Sequence, residues 1–454
     1  MTDLTERDRK LIWHPYTQEK TAPLPIAITR GENECLYDDR GNKYIDLISS
    51  WWVNLHGHSN PVIAKAIYDQ ALKLEQVIFA DCTHELAISL CENLKASLPQ
   101  TFSKFFFSDN GSTAVEVALK MTLQFWQNRN QENRNIFLSF DKGYHGDTVG
   151  AMSVGISSDF FSSYERFLFS SQSIPYPATW IGDPDVETKE ESSLKMLERF
   201  LKENSGRVAG FILEPLVQGA SGMRMCRPEY LERILTLLRK HEVILIFDEV
   251  MTGFYRTGKM FALDYLSITP DILCLSKGLT GGFLPLSLTI TTREIYDAFL
   301  DNDFRKALVH GHSYTANPLG CAAAIASLKL LKDENTLKAI ANIEKLHKNF
   351  LSELAQSSLD CVKARRVCGT IAAFNLFSEE SDYNHPIVKS LKEIFLEKGL
   401  LIRPLGNTIY LIPPYCISQA SLEEAYNKIL EVITSIHHSK KVSEILESQD
   451  LMLY

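Results

Sequence analysis

An aspartate and a lysine, Asp248 and Lys277, each close a short apolar run, "VILIFDEV" and "PDILCLSKGLTGG". Such runs, bounded by Gly, Pro or charge, suit strands of a parallel sheet buried on both faces. In an open parallel sheet the carboxyl ends of neighbouring strands converge on one crevice, so the two side chains would meet there. A third run, "FSKFFFSDNGSTAVEVALK", passes through Asp109-Asn110-Gly111-Ser112-Thr113 into a helix, whose free N–H groups and dipole suit a phosphate. A carboxylate, an amine and a phosphate seat at three strand ends fit pyridoxal phosphate. The lysine would form a Schiff base with the aldehyde, and the aspartate would hold the pyridine nitrogen protonated so that the ring can accept electrons. Singly, Asp248 reads as a helix cap, Lys277 as a solvated loop lysine and the 108–113 turn as a plain cap. Their joint occurrence, in this order, favours the cofactor.

A nucleotide hydrolase is the competing reading, because Gly253-Phe-Tyr-Arg-Thr-Gly258-Lys259 spells most of a phosphate loop. That loop needs its own preceding strand and a Ser or Thr after the lysine, and Met260 stands there instead. The acidic metal ligand would also have to come from the same strand, which excludes this chemistry.

The elements that must position these residues alternate from about residue 60. Helical stretches separate the brief runs "RNIFLSF", "VAGFILEP", "VILIFDEV", "DILCLS" and "LSLTITT". After the first strand and turn, Val115, Ala118, Leu119, Thr122 and Phe125 share one helix face. "NECLYDDRGNKYIDLI" reads as a hairpin. After about residue 320 the texture changes. "IVKSLKEIFLEKG" predicts a helix closed by Gly399, "LLIRPLGNTIYLIPPY" a hairpin turning at Gly406-Asn407, and "SLEEAYNKILEVITSIHHS" a helix with a Ser421/Glu424 capping box. The expected fold class is α/β: a large domain with a mainly parallel sheet flanked by helices, plus a smaller α+β domain. The expected division is 1–60 as an N-terminal segment feeding the small domain and the substrate pocket, 61–320 as the large cofactor domain, and 321–454 as the small domain.

The chain has 454 residues, a net charge of −9 and scattered basic residues, which sets nucleic-acid binding aside. Nine cysteines, none spaced C-x-x-C, read as reduced thiols of a reducing compartment. The charged start "MTDLTERDRKLIW" lacks a secretory signal and no window is apolar enough to span a bilayer, so a soluble, cytoplasmic protein is expected. The His-x-His pairs 56/58 and 310/312 lack a carboxylate at ligand-like spacing, so no metal is expected.

These motifs resemble the class III, fold-type-I aminotransferases that depend on pyridoxal phosphate. The likeness runs from "WHPYTQ" (13–18) to "IRPLGNTIYLIPPY" (402–415). "LIFDEVMTGFYRTGK" and "LSKGLTGG" mark the broad family. "WHPYTQ", "SSWWVNLHGH", "GYHGDT" and the arginine segment mark a narrower group working in biotin synthesis. The resemblance implies Lys277 as Schiff-base lysine, Asp248 as partner of the pyridinium nitrogen, Gly111 and Ser112 at the phosphate, and Tyr144 over the ring and touching substrate. It implies that "HGHSYTANP" reaches the other subunit's cofactor through Gly311, His312 and Ser313, hence a homodimer with sites at the interface. Tyr16, Trp51 and Trp52 would line the substrate pocket, Asp147 would lie near its polar end and Arg403 would grip the substrate carboxylate. It further implies amino transfer from S-adenosylmethionine to 8-amino-7-oxononanoate.

Elementary chemistry agrees, since a guanidinium grips a carboxylate through two parallel hydrogen bonds and aromatic walls attract a sulfonium. Three positions depart from the family pattern. Ser313 replaces the usual threonine but keeps the hydroxyl, His312 replaces proline, and Tyr255 replaces glycine. Other ω-aminotransferases, a lysine-using enzyme of the same reaction, an aminomutase of the same fold and a non-catalytic binder stay open on the residues alone.

Overall fold

The computed structural model describes residues 3–155, 159–383 and 385–438. Each apolar run of the middle region is a strand: Phe102–Ser108, Ile136–Phe140, Val208–Leu213, Ile244–Asp248, Ile272–Leu275 and Ser287–Thr292. With a short strand at Gln172–Ile174 they form one sheet in the spatial order 102–108, 287–292, 272–275, 244–248, 208–213, 136–140, 172–174. Ser287–Thr292 pairs antiparallel on both sides, and every other strand points the same way.

Burial on both faces explains why these runs do not alternate with polar residues. Ile244, Ile246, Ile272 and Cys274 pack on one side with Val115, Ala118 and Phe125 of the helix Gly111–Asn128. Leu245, Phe247, Leu273 and Leu275 pack on the other with Leu231, Ile234 and Leu238 of the helix Pro228–Lys240. The sheet is therefore wedged between two cores, and its polar strand ends are the places where chemistry can surface.

Towards the C-terminus, Val362–Cys368, Ile371–Leu376 and Thr408–Leu411 form an antiparallel sheet. The helices Glu334–Gln356 and Gln419–His437 meet beside it, with Phe350 stacked on Tyr426 at 4.3 Å between ring centroids. Ile28–Glu32, Cys35–Asp38 and Lys43–Asp46 form a further sheet near the N-terminus.

Two local expectations need correction. The expected hairpin over 400–415 keeps only its turn: Leu405 and Thr408 bridge antiparallel across Gly406-Asn407, with N–H···O bonds of 3.0 Å in both directions, but the flanking runs do not pair with each other. Leu400–Leu401 pairs in parallel with Ile45–Asp46, whereas Thr408–Leu411 pairs with Ala372–Asn375. Leu400 and Ile409 are both wholly buried, each against a different sheet, and Arg403-Pro404 carries the chain between them. The last helix is capped by Ser418, whose side chain accepts from the Ser421 N–H, and Ser421 instead donates its hydroxyl to Glu34 at 2.7 Å. The helix Ile387–Glu397 does end before Gly399, which is left-handed at φ 73°. Residues 439–454 of the expected small domain lie outside the described residues. No helix among the described residues is long and apolar enough to cross a membrane.

Candidate active site

Five strand ends surround a cavity of about 620 Å³ at the carboxyl edge of the seven-stranded sheet. Asp109–Ser112 follows the strand 102–108, Tyr144–Thr148 follows 136–140, and Glu214 follows 208–213. Asp248 ends its strand, and Ser276-Lys277 follows 272–275. The convergence expected from parallel topology is met.

Asp248 is 4% exposed. One oxygen lies 2.7 Å from His145 Nδ1 and the other accepts the Val250 N–H at 3.1 Å. Because a carboxylate only accepts, this pair places a proton on Nδ1 and orients the buried acid. Lys277 begins a short 3₁₀ turn with φ 42°, a left-handed backbone that a side chain on Cβ disfavours. Burial lowers the proton affinity of its amine, opposed by the charges of Asp248 and Glu214. Desolvation thus pushes the lysine towards the neutral, nucleophilic form.

The phosphate seat is built by close approach. Gly111 opens the helix 111–128, and a Cβ there would lie 2.6 Å from Val250 Cγ1. Gly146, at φ 124°, lies so near Ser112 that a Cβ would meet its Oγ at 2.3 Å. Ser112 Oγ is 2.7 Å from Thr148 Oγ1 and accepts the Thr148 N–H at 3.0 Å. Asn110 caps the Thr113 N–H, so Gly111 and Ser112 present the helix start to the cavity. A deep acid, a buried amine and a glycine-lined helix start fit the ring nitrogen, aldehyde and phosphate of pyridoxal phosphate.

A second chamber of about 790 Å³ opens beside the first and shares Trp52, Val53, Tyr144, Asp147 and Lys277 with it. Tyr16, Trp51 and Arg403 line it as well. The Arg403 guanidinium sits 4.7 Å from the centroid of Trp51, whose ring meets Tyr16 edge-on at 5.7 Å. Tyr16 donates its hydroxyl to Asp147 at 2.6 Å. The tryptophans diverge because Ser49, Ser50 and Trp52 are all left-handed, at φ 51°, 61° and 66°. Buried Asp46 holds this strained turn by accepting the Ile48 and Ser50 N–H groups at 3.1 and 2.7 Å. As a result Trp51 faces the chamber at 39% exposure, while Trp52 is buried, donates to Tyr410 and sits 4.8 Å beneath the Lys277 amine.

Gly311, His312 and Ser313 line neither cavity of this chain. Ser313 accepts from Gln76 through its carbonyl, and both His312 ring nitrogens are buried without a hydrogen-bond partner among the described residues. The other pair, His56 and His58, contacts Ser327 Oγ and Asp46. Among the described residues no group of three or more side chains is placed to hold a metal ion. All nine cysteines are free.

Sequence reasoning passed over His145 and Glu214. His145 sits inside "GYHGDT", and Glu214 ends an apolar run as Asp248 does, which is the signal that could have found it. Glu214 is buried and accepts the Tyr144 N–H at 3.0 Å and the Gly219 N–H at 2.9 Å, bracing both cavities.

A profile of the family described as aminotransferase class-III matches residues 16–433. The adenosylmethionine-8-amino-7-oxononanoate aminotransferase of Synechococcus elongatus is 49% identical over 94% of this chain and 99% of its own length. The enzyme of the same name from Geobacter sulfurreducens is 38% identical over 92% and 95%. Among solved structures, that of the enzyme of this name from Methanocaldococcus jannaschii superposes with a TM-score of 0.86 at 38% identity, covering 94% of this chain and 98% of the other. The omega transaminase from Pseudomonas jessenii in complex with PMP gives 0.87 at 28% identity, covering 96% and 99%.

Proposed function

Because this chain belongs to the class III aminotransferases, fold-type-I enzymes that use pyridoxal phosphate, we propose that it moves an amino group from S-adenosylmethionine to 8-amino-7-oxononanoate. The product, 7,8-diaminononanoate, would serve biotin biosynthesis in the cytoplasm. The observation that carries this reading is end-to-end likeness to enzymes named for that reaction, in a chain whose chamber holds Tyr16, Trp51, Asp147 and Arg403 together.

In this reading Gly111 and Ser112 hold the phosphate, Asp248 keeps a proton on the ring nitrogen, and Tyr144 covers the ring. Once bound, the cofactor supplies an electron sink for the charge left when a proton leaves the amine-bearing carbon. Lys277 Nζ, released as a neutral amine, takes that proton and returns it one position away. His145 fixes the acid's orientation, so Asp248 would stay directed as an acceptor towards the ring nitrogen. Arg403 grips the carboxylate of each substrate in turn through its planar fork. Trp51, Trp52 and Tyr16 exclude water and offer π-faces to the sulfonium of the donor.

Gly311, His312 and Ser313 are assigned to the cofactor phosphate of a second copy, which makes the working unit a homodimer. Mixing S-adenosylmethionine alone with the holoenzyme should bleach the cofactor's visible band and release a 2-oxo acid, whereas lysine should not. An unchanged spectrum at saturating S-adenosylmethionine would reject the donor.

A further inference from the structure

A buried arginine behind the chamber has no part in the chemistry above. Arg366, on the strand Val362–Cys368, is 4% exposed. Its guanidinium donates to the carbonyls of Gly222, Met223 and Ala364 and to Asn375 Oδ1, the Met223 and Asn375 bonds measuring 2.7 and 2.9 Å. A cation buried against neutral oxygens is costly, so a fold that keeps one has a use for its geometry.

That geometry matches one turn. The short strands Val217–Gln218 and Arg224–Met225 pair antiparallel, and residues 219–223 link them. Gly222 and Met223 are both left-handed, at φ 92° and 51°. Both are buried, so their carbonyls need donors from elsewhere in the protein. Arg366 serves both with one planar fork, which a lysine's single ammonium cannot reproduce. Ala220, Ser221 and Gly222 form one wall of the substrate chamber.

The adjoining wall, Glu380 to Tyr383, hangs on the same network. Asn375 Oδ1 also accepts from Thr408 Oγ1 at 2.9 Å, and Thr408 Oγ1 reaches Ser381 Oγ at 3.1 Å. Asn407 donates to the Glu380 carbonyl at 3.0 Å and accepts the Asp382 N–H at 2.8 Å. The two walls touch at Gly222, where a Cβ would lie 2.5 Å from Ser381 Oγ and 2.8 Å from Thr408 Oγ1. Arg366 and Asn375 line neither the chamber nor the cofactor cavity.

We propose that Arg366 is a positioning residue for substrate: it clamps the 219–223 turn against the C-terminal sheet and so fixes the wall of the chamber that Arg403 also lines. The inference rests on this chamber being the substrate site. Without the fork the turn relaxes in the free enzyme and must be reordered by whatever binds, so the loss falls on KM rather than on cofactor affinity.

The test uses holoenzyme of the wild type, Arg366→Met, Arg366→Lys and Asn375→Ala. The concentration dependence of cofactor bleaching is followed with whichever of S-adenosylmethionine, lysine or a simple primary amine converts the wild type. Leaving three buried carbonyls, two of them in the turn, without the Arg366 donors should raise the half-saturating concentration about tenfold to a hundredfold in Arg366→Met. Arg366→Lys should recover part of this, with cofactor affinity and the resting spectrum unchanged in both. A folded Arg366→Met with wild-type half-saturation, or one losing cofactor affinity in step, would overturn the inference. Should Arg366→Met not fold, Asn375→Ala decides: a severalfold rise supports the clamp and no rise overturns it. Failure of S-adenosylmethionine with the wild type, by contrast, strikes only the donor assignment, since the clamp is then read with the amine that works.

Discussion

The two cavities that meet at Lys277 are built in opposite ways. Apart from Trp52 and Val53, the cofactor cavity is lined from one sheet, every residue within eight positions of a strand end. The chamber beside it draws on residues 15–16, 51–53, 142–147, 220–222, 380–383 and 403–405, brought together by loops. Two packed cores hold the sheet, so the groups proposed to move protons stand on a well-supported edge. The groups proposed to choose the substrate stand on turns, held by buried polar side chains such as Asp46, Glu214 and Arg366. Chemistry and choice of substrate can therefore be altered separately.

The strongest way to break that comparison is at the shared residue. Lys277→Ala should abolish transfer, a loss of about ten-thousandfold or more, since base and nucleophile go together. Borohydride reduction and peptide mapping of the wild type should place the pyridoxyl label on Lys277, and label elsewhere would end the account. Next comes Asp248→Asn, which removes a preorganised charge from the deep end. It should lower kcat about a hundredfold to a thousandfold while KM stays within a few-fold, as read by steady-state kinetics. On the chamber side the pattern should invert. Arg403→Met should raise KM for the amino acceptor roughly thirtyfold, the worth of a lost charged hydrogen-bonding partner, with the cofactor spectrum unchanged. A fall in kcat alone would blur the division.

The smallest effect tests the brace between the two. Burial pushes the Glu214 carboxyl up to about 7 from an ordinary 4.5. A raised value means that the folded chain holds this proton more tightly than the unfolded chain. Its stabilisation is therefore full below pH 4.5 and is lost as pH rises through 7. Thermal midpoints of the cofactor-free protein over that window should fall more steeply in the wild type than in Glu214→Gln. Parallel slopes would show that Glu214 does not titrate there.

The same contrast explains what could be read from the sequence. That Asp248, Lys277 and the Gly111-Ser112 turn share one cavity was legible because a run buried on both faces ends abruptly at the polar edge of the sheet, a local pattern. The direction of Ser287–Thr292 was not, since a strand's composition carries no arrow. The segment after Gly399 misled because Leu400 finds its partner at Ile45, a pairing that no local turn signal encodes. Ser421 looked like a cap on spacing alone, but Glu34 claims its hydroxyl and Ser418 takes the task. The chamber residues came from family likeness, because nothing in a lone Tyr16 or Arg403 announces a neighbour far along the chain.

Tyr16 reaches Asp147, and both line the chamber. Residues 17–24, largely exposed, are the only covalent tether between that tyrosine and the first N-terminal strand at Ile28. A protease nicking this tether would leave the cavity of Gly111, Asp248 and Lys277 intact, so the yellow of a bound cofactor would survive while the Tyr16–Asp147 bond loses its anchor. Colour would then be a poor guide to competence in any preparation of this protein.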